Sequence, residues 1–201
     1  QRQMCIRDRI VINRVRSEAL RPLVGRNLEE VAESWQISPV EAVLRLLAEE
    51  GNVGFIGHGM SPENVEMVIR HPLTMIGSDG SSISPSASAD GSNPHPRYYG
   101  TFARVLSHYV RERGVLSLAD AVRKMTSFPA DQIGLADRGR IATGKKADLV
   151  VFHPDRVKDR ATFQSPHQFP VGIRHVLVNG RLVVEDEKHT GRRPGCALRR
   201  V

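Results

Sequence analysis

Residues 52–80 read NVGFIGHGMSPENVEMVIRHPLTMIGSDG, two short apolar runs on either side of a helix-like stretch. The first run, NVGFIG, predicts a strand, and Ser61-Pro62-Glu63 predicts the start of a helix that extends through Ile69. The second run, LTMIGS, predicts another strand. This order is typical of βα units, which build a parallel sheet or barrel with functional groups at the carboxyl ends of strands. Asp79 directly follows the second strand and is therefore a candidate functional residue.

The surroundings of Asp79 leave two interpretations open. Gly80 would let backbone or a ligand approach closely, as in a functional site. An aspartate that only caps the following loop would give the same pattern. The stretch GSSISPSASADGSNPHP, residues 80–96, has no periodicity and predicts a long loop. Loops of this length inside a domain often act as lids or binding loops, although a surface insertion is the alternative.

Upstream, capping signals mark two helices. Asn27 is predicted to cap LEEVAESW, and Ser38 with Glu41 forms a capping box that opens VEAVLRLLAEE. Gly51 is predicted to end the second of these helices. The first residues, QRQMCIRDR, follow neither a helical nor a strand period, so we expect no regular structure and assign no function there.

Downstream, the pattern changes from helices to strands. TFARVLSHYVRER predicts a helix that ends at Gly114, and Ser117 is predicted to cap LADAVRKMTS. ADLVVF and GIRHVLVNGRLVVED then predict strands, with Asn179-Gly180 as a type I′ hairpin turn. A small β unit is therefore predicted to close the chain, with a boundary near residues 135–145.

Composition indicates a soluble, globular protein, with 40% hydrophobic and 25% charged residues and a net charge of +7. Much of the excess charge lies at the two ends, and the middle is mixed in sign with few aromatic residues, which argues against nucleic-acid binding. No apolar run is long enough to span a membrane. Cys5 and Cys196 lie near opposite ends without a CxxC pattern, so we expect a cytoplasmic protein without a disulfide framework.

Several uncommon strings identify a family resemblance. They are HPLTMIGSDG, HPRYYGTFARVL, KMTSFPADQIGLADRGRIATGKKADLVVF, GIRHVLVNGRLV and TGRRPGCALR. In wording and in order they resemble the C-terminal region of the D-aminoacylase branch of the amidohydrolase superfamily, that is, the N-acyl-D-amino-acid deacylases. The resemblance covers nearly everything from about Asn27 to Arg200.

The resemblance implies an α/β fold. It predicts that the chain supplies the C-terminal portion of a TIM-like (β/α)8 barrel, followed by the C-terminal part of a small β-sandwich. On this basis residues 1–26 are a partly unmatched leader, residues 27–138 belong to the barrel and residues 139–201 belong to the β domain.

The resemblance also implies roles for three residues. Asp79 matches the aspartate of the family's SDG motif, which orients a zinc-bound water and transfers its proton to the leaving amine. Arg97 matches the arginine of the HPR motif, which binds the α-carboxylate of an N-acyl-D-amino acid, a small-molecule partner. Ser61 falls where family members often have a serine that contacts the same carboxylate, although a plain helix N-cap explains it too.

The expected cofactor is Zn²⁺, for which this chain carries few ligands. Asp79 is a weak candidate ligand, and the resemblance implies that the other ligands precede residue 1. His58, between two glycines, is the histidine to test for proximity to a metal. We therefore expect part of a zinc-dependent amidohydrolase that is inactive alone. A cyclic-amide hydrolase of the dihydroorotase or hydantoinase kind and a non-catalytic remnant are the alternatives.

Overall fold

The computed structural model describes residues 6–84 and 93–199, so Cys5 and residues 85–92 of the predicted loop lie outside the described ranges. Within these ranges the chain forms six α-helices, six strands and three other helical segments. The α-helices are α1 Leu28–Trp35, α2 Pro39–Glu50, α3 Pro62–Arg70, α4 Arg97–Arg104, α5 Leu118–Met125 and α6 Ser127–Ile133. The strands are β1 Ile10–Arg14, β2 Gly54–Gly57, β3 Leu149–Phe152, β4 Ile173–Val178, β5 Arg181–Glu185 and β6 Lys188–His189. Ile6–Arg9 and Glu18–Leu23 are 3-10 helices, and Val105–Glu112 continues α4 as a π-helix.

The described chain divides into two compact units, each made of several sequence segments. The first unit takes its residues from 1–61, 80–98 and 161–168, and the second from 62–79, 99–160 and 169–201. The mixture of helices and strands confirms the predicted α/β class. The barrel, the β-sandwich and the boundary at residues 138 and 139 stay predictions.

The first unit is built on one apolar core. Its buried members are Ile12, Val15, Leu20, Leu23, Leu28, Val31, Ala32, Ala42 and Leu46. Four of these side chains precede Asn27, so the segment treated as a leader in the sequence contributes directly to this core. β1 and β2 pair in antiparallel orientation beside it, with Val11 opposite Ile56.

Both predicted capping boxes of the first unit are present. Asn27 accepts a hydrogen bond from the backbone N–H of Glu30 at 2.9 Å, and the Glu30 carboxylate accepts one from the N–H of Asn27 at 2.9 Å. Ser38 and Glu41 make the same reciprocal pair at the start of α2. These bonds satisfy N–H groups that a helix leaves without internal partners, which is why the start points could be predicted from sequence.

At the end of α2, Glu50 fastens the chain that follows β1. Its buried carboxylate accepts hydrogen bonds from the backbone N–H of Arg16 at 2.6 Å and of Ser17 at 2.9 Å. A hydrogen bond from the Ser17 side chain, followed by that from the Arg16 backbone, lowers the pKa of Glu50 below its ordinary value of 4.5. The charged form is therefore the one that the folded state favours.

We expect Glu50→Gln to lower the free energy of unfolding at pH 7. The glutamine side chain has one oxygen and one NH₂ group, so its NH₂ group would face the backbone N–H of either Arg16 or Ser17. Since the folded pKa is depressed, the contribution of Glu50 is complete above pH 4.5 and is lost as pH falls through the lowered pKa. The difference between wild type and variant should therefore shrink on acidification. Urea unfolding followed by fluorescence of Trp35, the single tryptophan, which packs against this core, measures it.

The neighbouring substitution Glu49→Gln is the matched control, because Glu49 is an exposed residue that pairs with Arg45 across one helical turn at 2.7 Å. Such a pair contributes little to stability. A gap between wild type and Glu50→Gln that stays constant from pH 7 to pH 3 would contradict the assignment.

The second unit contains an antiparallel sheet in the order β3-β4-β5-β6. The turn between β4 and β5 has positive φ at both central residues, 49° at Asn179 and 74° at Gly180, as a type I′ turn requires. The Asn179 N–H donates to Asp148 Oδ1 at 2.7 Å, which ties the turn to the residue that precedes β3. The predicted hairpin is confirmed.

Three sequence predictions about regular structure were wrong. The run LTMIGS, residues 73–78, forms no strand within the described structure, and β2 pairs antiparallel with β1 instead of joining a parallel βα unit. Ile6–Arg9, in the stretch where no regular structure was expected, form a 3-10 helix. The helix predicted from Thr101 is confirmed, although it begins earlier, at Arg97, and is a π-helix from Val105. Pairing partners decide whether an apolar run becomes a strand, and those partners are distant in sequence.

Among residues 6–84 and 93–199, no helix combines the length and the apolar character that crossing a membrane requires.

Candidate functional site

Asp79 lies in the second unit at the end of a stretch without regular secondary structure that follows α3. Its φ is 47°, in the left-handed region, and the residue is exposed. Aspartate and asparagine enter this region more readily than most residues other than glycine, because their short side chains can hydrogen-bond locally. The backbone at Asp79 therefore turns sharply where the carboxylate reaches solvent.

The stretch before Asp79 is fastened to α5. Lys124 Nζ donates to the carbonyl oxygen of His71 at 2.5 Å and to that of Thr74 at 3.1 Å. In return, the backbone N–H of Ile76 donates to the carbonyl oxygen of Lys124 at 3.0 Å. Lys124 had no role predicted from sequence. Its spacing in the sequence could have indicated burial. Lys124 lies three residues after Ala121, and this spacing places it on the apolar face of a helix that ends at Met125.

Arg97 lies in the first unit and is the first residue of α4. Its backbone N–H donates to Nδ1 of His95 at 3.0 Å, and the N–H of Tyr98 donates to the carbonyl oxygen of His95 at 3.1 Å. His95 therefore shapes the turn into the helix. The half-buried Arg97 adds its own positive charge to the positive end of the helix dipole, a setting that favours anions.

Gly80 explains why the SDG motif ends in glycine. A Cβ at this position would lie 3.2 Å from Cα and 3.3 Å from Cδ1 of Tyr98, within the first unit. Any larger side chain would therefore require Tyr98 to move by a few tenths of an ångström.

The first unit also contains a cavity of about 520 Å³ with aromatic and polar walls. Val11, Ile56, His58, Asn93 and Phe163 are among its lining residues. The rings of Phe163 and His58 meet edge-on, with their centroids 4.5 Å apart. Asn93 Nδ2 donates to the carbonyl oxygen of Phe163 at 2.7 Å. His58 thus packs against an aromatic ring. Nothing in the sequence indicated that Phe163 would contact it.

Ser61 is half-buried in the first unit and immediately precedes Pro62, the first residue of α3. It therefore occupies the N-cap position that its plain structural interpretation requires. A serine at a helix start can also present its hydroxyl to a ligand, so the two interpretations of Ser61 from sequence both stay open.

The described residues do not by themselves fit a zinc ion. Within residues 6–84 and 93–199 no group of three or more His, Cys, Asp and Glu side chains could hold a metal. A catalytic zinc takes about three protein ligands, and Asp79 offers a single carboxylate. Cys196 is exposed, with Sγ 3.8 Å from Nδ2 of Asn179.

Known proteins resemble the chain along most of its length. It is 44% identical over 176 residues to an N-acyl-D-glutamate deacylase of Alcaligenes xylosoxydans xylosoxydans, a match that covers 88% of this chain and 34% of that protein. A crystal structure of a D-aminoacylase superposes with a TM-score of 0.81 at 40% identity, covering 93% of this chain and 37% of that one.

A third similar protein is the N-acyl-D-glutamate deacylase of Bordetella bronchiseptica, solved with zinc and a phosphonate inhibitor that mimics the tetrahedral intermediate. Its TM-score is 0.77 at 39% identity, and the match covers 88% of this chain and 34% of that one. The chain thus spans about a third of the length of the relatives it matches.

The sequence profile of the amidohydrolase family matches residues 15–184, which include Ser61, Asp79 and Arg97. This match and the deacylases named above confirm the resemblance drawn from the SDG and HPR strings. The chain therefore belongs to the amidohydrolase family.

Proposed function

We propose that the protein to which this chain belongs hydrolyses the amide bond of N-acyl-D-amino acids, giving a carboxylate and a free D-amino acid. The observation that carries the proposal is the 44% identity to an N-acyl-D-glutamate deacylase across 88% of the chain. The match to D-aminoacylase at a TM-score of 0.81 supports the same chemistry.

In this proposal Asp79 is the residue that moves the proton. Amide hydrolysis requires a base that takes a proton from the attacking water and an acid that delivers it to the leaving nitrogen. A carboxylate can perform both steps in succession. The exposure of Asp79 and its place on a sharp left-handed turn support this role, because they leave the carboxylate accessible to substrate and water.

Arg97 is proposed to bind the α-carboxylate of the substrate. A guanidinium presents two parallel N–H groups that match the two oxygens of a carboxylate. The position of Arg97 at the start of α4 supports the role, since helix N-termini favour negative charge. Ser61 is proposed to add a hydroxyl to the same carboxylate from the start of α3.

Zinc is the proposed cofactor of the complete protein, on the strength of the zinc that the Bordetella deacylase holds. No group of three or more ligating side chains lies among the described residues, so in this proposal Asp79 is a weak ligand and the remaining ligands would come from outside these residues. The chain is proposed to supply the last part of a TIM-like barrel and the C-terminal part of a β-sandwich, divided near residues 138 and 139. The antiparallel sheet β3–β6 supports the second of these assignments.

The test is hydrolysis by the full-length protein that contains this chain, purified with zinc. We expect release of free D-amino acid from N-acetyl-D-amino acids and none from their L-enantiomers, measured by chiral chromatography. Activity confined to hydantoin or dihydroorotate would replace the proposal with a cyclic-amide hydrolase. Failure on all of these substrates would favour a non-catalytic protein.

A further inference from the structure

Lys124 is buried in the second unit to a degree unusual for a lysine. Its exposed fraction is 0%, and its ammonium group lies beneath the chain that follows α3. Burial of an ammonium is costly unless hydrogen bonds compensate for the lost water. Three acceptors surround Nζ, namely the His71 carbonyl at 2.5 Å, the Thr74 carbonyl at 3.1 Å and the Thr74 hydroxyl at 3.3 Å.

These acceptors belong to one short stretch, residues 71–74, and match the three N–H donors of an ammonium. The contact also runs in the opposite direction, because the N–H of Ile76 donates to the Lys124 carbonyl at 3.0 Å. The Thr74 hydroxyl lies 2.7 Å from the carbonyl oxygen of Val68 on α3. Residues 71–76 are therefore held by α5 through both the side chain and the backbone of one residue.

We propose that Lys124 is a positioning residue, which fixes the path of residues 71–76 and thereby places Asp79, three residues further along. This inference rests on the proposed function, in which Asp79 transfers the proton. Lys124 acts through the backbone and does not contact substrate.

The choice of lysine supports positioning over simple packing. An apolar side chain of similar volume would be cheaper to bury, so a buried charge is weak support for stability alone. Within the described residues, 73–78 form no strand, so the carbonyl oxygen of Thr74 receives its hydrogen bond from a side chain instead of a strand ladder. Lys124 supplies the donors that define one path for this backbone.

We expect Lys124→Met in the full-length protein to lower kcat for an N-acyl-D-amino acid by about 10- to 100-fold, since a shift of about 1 Å in a reacting group has such an effect. Methionine keeps a long unbranched side chain and removes all three donors. KM should change by less than about threefold, because the substrate carboxylate is bound by other residues. Kinetics corrected for the folded fraction, measured by urea unfolding, give both constants.

Val157→Ala is the matched control. Val157 is also 0% exposed in the second unit, but it packs with Ala103 and Leu106 and makes no hydrogen bond to residues 71–76 with its apolar side chain. It should lower stability while kcat per folded molecule stays at the wild-type value. Should Lys124→Met fail to fold, Thr74→Val removes the hydroxyl that accepts from Lys124 and donates to the carbonyl oxygens of Val68 and His71, and it leaves both carbonyl acceptors of Lys124 in place. It should lower kcat less, again with little change in KM.

The two proposals fail differently. A full-length wild type without activity on N-acyl-D-amino acids removes the proposed function, whatever the variants do. A wild type that is active, with Lys124→Met or Thr74→Val equal to it in kcat, overturns the positioning role of Lys124 alone. A loss of kcat in Val157→Ala as large as in Lys124→Met would also overturn it, because general destabilisation would then explain both.

Discussion

Asp79→Asn is expected to lower kcat of the full-length protein by about 10²- to 10⁴-fold, the range that proton transfer by a positioned side chain contributes. The amide cannot accept the proton of the attacking water, so the chemical step loses its base and its acid together. KM should change far less, because binding of the substrate carboxylate is assigned to Arg97. Steady-state kinetics on one N-acetyl-D-amino acid separate the two constants.

Asparagine is the appropriate replacement because of the backbone at this position. With φ at 47°, an alanine would add about 1–2 kcal/mol of left-handed strain, whereas asparagine accepts this conformation readily. Asp155→Asn is the matched control, since Asp155 is an exposed aspartate of the same unit with no assigned role. A kcat for Asp79→Asn within about threefold of wild type would mean that Asp79 serves only the turn, the structural interpretation left open by the sequence.

Arg97→Lys is expected to raise KM for N-acyl-D-amino acids by about 10- to 100-fold, the loss of about 1.5–3 kcal/mol in a charge-assisted hydrogen bond. Lysine keeps the charge but not the two parallel donors that match a carboxylate. The effect on kcat should be smaller. Comparison of the substrate with its α-carboxamide sharpens the test, because the carboxamide offers no carboxylate and should respond weakly to the substitution.

Arg104→Lys, on the same helix, is the control for Arg97→Lys. Arg104 donates to Asp159 at 3.2 Å, and lysine keeps the charge of this ion pair. An unchanged KM in Arg97→Lys, with activity on N-acyl-D-amino acids present, would remove the carboxylate role from Arg97 and favour the cyclic-amide alternative.

Predictions from sequence succeeded where the determining contacts are local. The capping boxes of α1 and α2 connect residues three positions apart, and the type of the hairpin turn follows from the adjacent residues Asn179 and Gly180. Such signals lie within a few residues of sequence and survive in any tertiary context. Asp79 and Arg97 could be identified as candidate site residues for the same reason, because each lies within a short, uncommon sequence motif.

Tertiary structure decided three features that the sequence did not predict. They are the antiparallel pairing of β2, the absence of a strand at residues 73–78 within the described structure, and the burial of Lys124. β2 pairs with a strand more than forty residues earlier, and Lys124 meets acceptors 50 and 53 residues away. Apolar runs do not specify their partners, and a helical lysine is exposed by default. By itself the sequence determined the family, the local caps and turns and the candidate chemistry of Asp79. The packed structure decided how the backbone that bears Asp79 is held, because hydrogen bonds between distant segments form only when the chain has folded.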